Sequence, residues 1–221
     1  MAGDDAQYAI KATGELKRAT AACALAAIAL GLVLSLPALA SMLQGPLPAG
    51  ALAVHRPAPQ FDLTDIEGHP LTLEGTRGRP RVVMFGYLGC DGLCQTQAAI
   101  LAQARRMSRR SDALFLFVTM DPEHDTASRL SSGLARAFPG LVLARPEDAR
   151  DAALLARRFG APFRRSADRR RIDHPGLVFL IDADDAVRYV FSGRQLDAAA
   201  VASAVSELAP ATRTGAPPNE L

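Results

Sequence analysis

The chain has 221 residues, and its 25 Lys and Arg stand against 23 Asp and Glu for a formal net charge of +2. That near balance excludes the global basic field of a nucleic-acid binder, and 49% hydrophobic with 22% charged residues excludes a disordered polyelectrolyte. Three cysteines, Cys23, Cys90 and Cys94, are too few for a disulfide scaffold, so the close pair asks for a local chemical explanation.

Residues 1–18 read as a cytoplasmic N-terminal segment that includes Lys11, Lys17 and Arg18. From Ala19 to Leu36 the chain is apolar apart from Thr20 and Ser35. As a helix that run spans about 27 Å, close to the thickness of a bilayer core. Positive charge before it and none directly after place everything beyond Pro37 on the extracytoplasmic, periplasmic side. Ala38-Leu39-Ala40 ahead of Ser41 also fits a signal-cleavage pattern. A transmembrane anchor over residues 19–40 and a processed signal therefore both stand, and both export the rest of the chain. Cys23 opens the hydrophobic run where a lipid-attachment cysteine should close it, which argues against a lipoprotein. Residues 41–58, with Pro46, Pro48 and Pro57 among small residues, read as a Pro-rich linker.

The folded domain is expected over residues 59–208. Phe61-Asp62-Leu63 and Leu71-Thr72-Leu73 flank a turn at Gly68 and predict a hairpin. Arg81 to Tyr87 is a continuous apolar run of the kind that fills a doubly covered central strand. Leu93, Ala98, Leu101 and Ala102 recur at helical spacing, so a helix should run to about Arg110. Ala113 to Met120 is a second buried strand, and strand–helix–strand predicts a parallel pair. Thr126 to Phe138 and Glu147 to Phe159 read as helices, with Leu141 to Leu143 a short strand between them. Gly176 to Asp182 and Ala186 to Phe191 form a strand pair, and Gln195 to Leu208 is a closing helix. Residues 209–221, with Pro210, Pro217 and Pro218, read as a disordered tail. Together these elements predict a three-layer α/β domain with a central mixed sheet.

The chemistry concentrates in Phe85-Gly86-Tyr87-Leu88-Gly89-Cys90-Asp91-Gly92-Leu93-Cys94-Gln95. A buried strand ends, glycines turn the chain, and a C-x-x-x-C pair enters a helix. Residues i and i+4 share a helix face about 6 Å apart at Cα, within reach of a disulfide. A helix N-terminus favours the thiolate, with Asp91 working against it. Two thiolates can instead grip one soft ion, and Cu(I) is the soft ion that thiolates select. A structural disulfide remains open on spacing alone.

This stretch resembles the Sco/SenC family of mitochondrial and bacterial copper proteins, whose motif reads F-G-Y-T-x-C-P-x-x-C-P. Three further blocks are similar in order: Phe61 to Leu73 to its opening hairpin, Val118 to Thr126 to its V-x-x-D-P-E-R-D-T segment, and Asp173-His174 with the strand ending at Asp182 to its V-D-H segment. The resemblance implies a thioredoxin-like fold, here preceded by the one N-terminal transmembrane helix that the apolar run predicts, and a copper site formed by Cys90, Cys94 and His174. It also implies a role in assembling the copper centre of a respiratory cytochrome oxidase. The protein would deliver copper or prepare the target's cysteines, as a metallochaperone more than an enzyme. Expected partners are the copper-accepting oxidase subunit or another copper chaperone, and the membrane through the leading helix, with no nucleic acid. Asp91 and Gln95 stand where the family has proline, Leu88 where threonine is usual and His124 where arginine is usual, so the resemblance is to a divergent member with an altered ligand loop.

Taken singly, His174 is a lone loop histidine about 80 residues after the cysteines. Neutral imidazole beside two thiolates would complete a three-coordinate Cu(I) site and help hold Cu(II). His124 is a spare-ligand candidate at the end of the second buried strand, while His55 and His69 read as solvated. Asp121 is expected to cap the helix near Thr126 or to tune the cysteine site. Arg164, Arg165, Arg169, Arg170 and Arg171 form a basic run before His174 that would suit an acidic partner. Two rival functions use the same residues. One is a metal-independent thiol–disulfide oxidoreductase in which Cys90 and Cys94 are the redox-active pair; the other is a copper or redox sensor.

Overall fold

The structure, a computed structural model, describes residues 48, 50–90, 92–167 and 171–208. The expected cytoplasmic segment, the anchor over residues 19–40 and the C-terminal tail lie outside the described residues. Among those described, no helix is long and apolar enough to cross a membrane.

Strand β1 (Ala51–Pro57) opens the domain, so residues 51–57, expected within the linker, are an edge strand instead. The hairpin comes next as β2 (Asp62–Asp65) and β3 (Pro70–Thr72), turning at Gly68. Then come β4 (Arg81–Gly86), helix α1 (Leu93–Met107) and β5 (Leu114–Thr119). Helix α2 (Ala127–Leu130) runs on through a π-turn over Ser131–Ala135, and β6 (Val142–Arg145) leads into α3 (Ala149–Phe159). Two short strands, β7 (Arg164–Arg165) and β8 (Ile172–Asp173), pair with each other. The chain closes with β9 (Leu177–Ile181), β10 (Ala186–Ser192) and α4 (Ala198–Glu207).

Eight strands form one mixed sheet in the order β1-β10-β9-β4-β5-β6-β2-β3. The βαβ reading holds: β4 and β5 are parallel, with Arg81 opposite Leu114 and Gly86 opposite Thr119. Strand β9 lies antiparallel on the other side of β4. All six residues of β4 are buried, because the sheet is covered on both faces. Side chains alternate along it. Val82 and Met84 join Leu101, Phe117 and Val201 beneath α1 and α4. Val83 and Phe85 join Leu116, Phe159 and Phe179 on the other face, beneath α3. This is the thioredoxin-like arrangement, with a mixed central sheet between helical layers.

Local chemistry sets the helix ends. Asp148 caps α3 by accepting from the Asp151 N–H at 2.8 Å, and Asp197 caps α4 by accepting from Ala200 at 2.8 Å. Gly160 ends α3 in the left-handed region that glycine occupies without strain. Arg81, at the start of β4, is wholly buried. Its guanidinium bonds Asp185 at 2.5 Å and the carbonyls of Thr76 and Arg79 at 3.2 and 2.7 Å. The sequence placed it as a strand boundary; it is the centre of a buried ion pair.

Candidate metal centre

The site forms where β4 and β5 end and the β8–β9 connection folds over them. Beyond β4 the chain makes a tight turn, with the Cys90 N–H bonding the Tyr87 carbonyl at 3.3 Å and the Gly92 N–H bonding that of Cys90 at 2.8 Å. Gly92 has φ +90°, a conformation suited to glycine, and α1 starts at Leu93. Cys90 is therefore in the turn before the helix, not on its face. Its Sγ accepts from the Cys94 N–H at 3.4 Å, so one sulfur sits over the helix N-terminus that carries the other.

His174 arrives from β8, 80 residues away in sequence, and its Nε2 lies 3.5 Å from Cys94 Sγ. One donor atom from each of Cys90, Cys94 and His174 falls within 4.8 Å of the others. Both cysteines are free thiols. The Tyr87 ring meets the His174 ring edge-on at 6.3 Å, and its hydroxyl accepts from the Ile172 N–H at 3.1 Å, which pins β8 against the cysteine turn.

The electrostatics differ from the sequence expectation. Burial pushes the Cys94 thiol far up, reinforced by its hydrogen bond with Cys90, and this outweighs the lowering hydrogen bond from the Tyr87 backbone. Burial lowers the His174 pKa, against a smaller opposing pull from Asp173, so the imidazole is neutral at neutral pH. The Gly176 N–H donates to His174 Nδ1 at 3.1 Å. With Nδ1 accepting, the ring proton is on Nε2, directed at the Cys94 sulfur.

Two sulfurs and one imidazole nitrogen in a small, half-buried cluster suit a soft, low-coordinate ion and are poor company for hard, oxygen-seeking cations. Cys94 must lose its proton to bind. Loading should therefore release at least about one proton per ion, and apparent affinity should rise about tenfold per pH unit for each proton released. Proton uptake and release followed at constant pH during titration checks this; pH-independent affinity would contradict it.

The structure separates the other candidates from this cluster. Asp121 does not cap the helix: the Thr126 side chain does so, accepting from the Arg129 N–H at 3.3 Å. Asp121 instead bonds Arg165 at 2.8 Å and His124 at 2.9 Å. Burial works to raise the Asp121 carboxyl, but these two partners outweigh it and hold it below the ordinary range. His124 thus belongs to an Asp121–Glu123–His124 group apart from the thiols, with Arg165 already bonded to its central carboxylate. His69 packs with Asp65 and Glu67 in the exposed hairpin turn, and His55 is exposed on β1. Arg164 and Arg171 are exposed beside the site, while Arg169 and Arg170 lie outside the described residues.

Two polar residues at the site escaped the sequence reading. Asp125 is 1% exposed, and its carboxylate accepts from the Leu88 N–H at 3.1 Å and the Thr119 hydroxyl at 2.6 Å. It ties the cysteine turn to the end of β5. Burial raises its pKa against those two hydrogen bonds. The block Asp121-Pro122-Glu123-His124-Asp125-Thr126 contained it, and attention to that block's second aspartate would have found it. Gln97, one turn beyond Cys94, is the other. Its side chain donates to the Gly176 carbonyl at 2.7 Å.

Comparison with known proteins places the fold and the family. The SCO1/SenC family profile matches residues 51–209. A relative from Stutzerimonas stutzeri, named "Putative copper-binding protein", is 25% identical over 142 residues, covering 60% of this chain and 68% of its own. Among solved structures, copper-bound ScoI of Bradyrhizobium japonicum superposes with a TM-score of 0.60 at 22% identity, over 70% of this chain and all of that one. Copper-bound ScoI of Arabidopsis thaliana gives 0.61 at 19% identity, over 69% of this chain and 97% of that one.

Proposed function

The chain belongs to the SCO1/SenC family, and on that footing we propose that it is a copper-handling assembly factor that holds Cu(I) as cargo between Cys90, Cys94 and His174. The observation that carries this reading is the meeting of three soft-ion donors from two loops 80 residues apart, within 4.8 Å of one another. Copper named in the descriptions of several relatives supports it.

The chain's residues divide the work. Cys90 and Cys94 supply the sulfur clamp, and Asp125, through Leu88, fixes the turn that presents it. His174 supplies a neutral nitrogen from a separate loop, so it is the ligand that can leave first when a recipient's thiols arrive. Ligand exchange of this kind moves the ion without changing its charge. We further propose that the recipient is the copper-accepting subunit of a respiratory cytochrome oxidase, and that the domain works on the extracytoplasmic face, held by its N-terminal segment. The apolar run from Ala19 to Leu36 behind Lys11, Lys17 and Arg18 supports that placement. Exposed Arg164 and Arg171 beside the site would steer encounter with an acidic recipient surface.

The test is a titration of the reduced full-length chain with Cu(I) against a competing chelator. One ion per chain is expected. His174→Ala should weaken binding about 100-fold, at the upper end of what losing even an outer-shell partner costs. A metal-independent thiol oxidoreductase would instead keep full thiol–disulfide exchange activity in His174→Ala and show substoichiometric copper.

A further inference from the structure

Gln97 is a buried amide that the sulfur clamp itself does not require. It is 1% exposed on α1. Its Nε2 donates to the Gly176 carbonyl, and its Oε1 is buried without a hydrogen-bond partner. Gly176 is the residue whose N–H bonds His174 Nδ1. A Cβ placed on Gly176 would lie 3.4 Å from Gln97 Nε2 and 3.8 Å from Oε1, so the whole amide head packs against this glycine. On the far side a Cβ on Gly193 would collide with both Gln97 Nε2 and the Gly176 carbonyl. The amide thus fills a space that exists because residue 193 has no side chain. Leu or Met would fill the same volume without burying an unpaired acceptor, which is costly. The bond to the Gly176 carbonyl accounts for the Nε2 arm of the amide, but neither it nor packing accounts for the buried Oε1.

We propose that Gln97 is a positioning residue for His174, joining the helix that carries Cys94 to the loop that carries the imidazole through both arms of its amide. The inference rests on reading Cys90, Cys94 and His174 as the ligand set. An imidazole offering its Nε2 lone pair carries its proton on Nδ1, where it would face the Gly176 N–H, donor against donor. That N–H then needs another acceptor. Gln97 Oε1, unpartnered and beside Gly176, is that acceptor. Gly176, at φ +59° and without a Cβ, gives the intervening peptide room to turn. Meanwhile the Nε2 arm keeps its hold on the Gly176 carbonyl, so the loop reorients its peptide without drifting from the cysteines.

A double-mutant cycle on the full-length chain tests this. Gln97→Met keeps the length and removes both arms. It should weaken Cu(I) binding about tenfold, as expected for a lost orienting partner, yet by less than about twofold in a His174→Ala background, because it acts through that ring. Equal losses in both backgrounds, or none in either, overturn the proposal. If His174→Ala alone leaves affinity intact, the ligand reading fails and this inference with it; loss with His174→Ala but none with Gln97→Met sinks the inference alone. A second measurement needs no variant. In the wild-type chain, 15N NMR of the His174 ring should show the proton on Nε2 without metal and on Nδ1 with Cu(I). A ring already protonated on Nδ1 without metal counts against the proposal.

Discussion

Cys94→Ser should lower the Cu(I) affinity of the reduced chain about a thousandfold, roughly 4 kcal/mol. The replacement is nearly isosteric and removes the soft donor alone. Cys94 is 1% exposed, at the first turn of α1, and its N–H holds the Cys90 sulfur in place. A serine hydroxyl offers hard oxygen in place of thiolate, and a soft ion gains little from it. The fold should survive, because the side chain keeps its volume and the backbone hydrogen bond to Cys90 needs no sulfur at position 94. Chelator competition reads the affinity, and far-UV circular dichroism reads the fold. An affinity within a few-fold of wild type would show that copper, if bound, is held elsewhere.

The second large effect concerns stability at the opposite end of β4. Asp185→Asn should destabilise the domain by about 3 kcal/mol, the lower end of the cost of breaking a buried ion pair. Its melting midpoint should then fall by roughly 6–12 °C. Arg81 is fully enclosed and depends on Asp185 for its counter-charge, although its desolvation already lowers its pKa. Without that carboxylate the guanidinium keeps the carbonyls of Thr76 and Arg79, which carry no counter-charge, and its Nε has no partner. Asparagine is the informative replacement, because Asp185 sits at φ +64° and asparagine tolerates that region. Arg81→Met should cost less. It leaves Asp185 near the surface with Arg77 still bonded at 2.7 Å, and it removes the buried charge itself rather than stranding it. A midpoint for Asp185→Asn within about 2 °C of wild type would mean the pair contributes nothing.

The central strands were legible because β4 and β5 are unbroken apolar runs, and only a doubly covered strand tolerates that pattern. Strand β1 was not. Ala51-Leu52-Ala53-Val54-His55-Arg56-Pro57 is flanked by prolines and leaves Leu52 exposed, so its local pattern is that of a tether. Its existence depends on pairing with β10, more than 120 residues later, which no local periodicity encodes. The cysteine pair was visible from spacing, yet the spacing put both sulfurs on one helix face, whereas Cys90 lies in the turn and the helix begins only after Gly92, at Leu93. His174 was identifiable only through its resemblance block; as a lone loop histidine it had no distinguishing local signal. Asp125 and Gln97 were passed over for a common reason. A polar residue in a helical or turn segment reads as solvated until the tertiary structure buries it, and only then does its hydrogen bonding become obligatory.

Strand β4 carries the ion pair at its first residue and hands the chain to the cysteine turn after its last, which separates the two by about 17 Å at roughly 3.3 Å per residue. Perturbations that far apart, with no shared partners, add rather than compound. Durability and reactivity are thus tunable separately. A lineage can rewrite the turn around Leu88, Gly89 and Gln95, shifting how tightly the cargo is held, without spending the reserve that keeps the sheet and its helices folded. A protein engineer can likewise harden the Arg81 end for use at higher temperature and leave the sulfur clamp as it is.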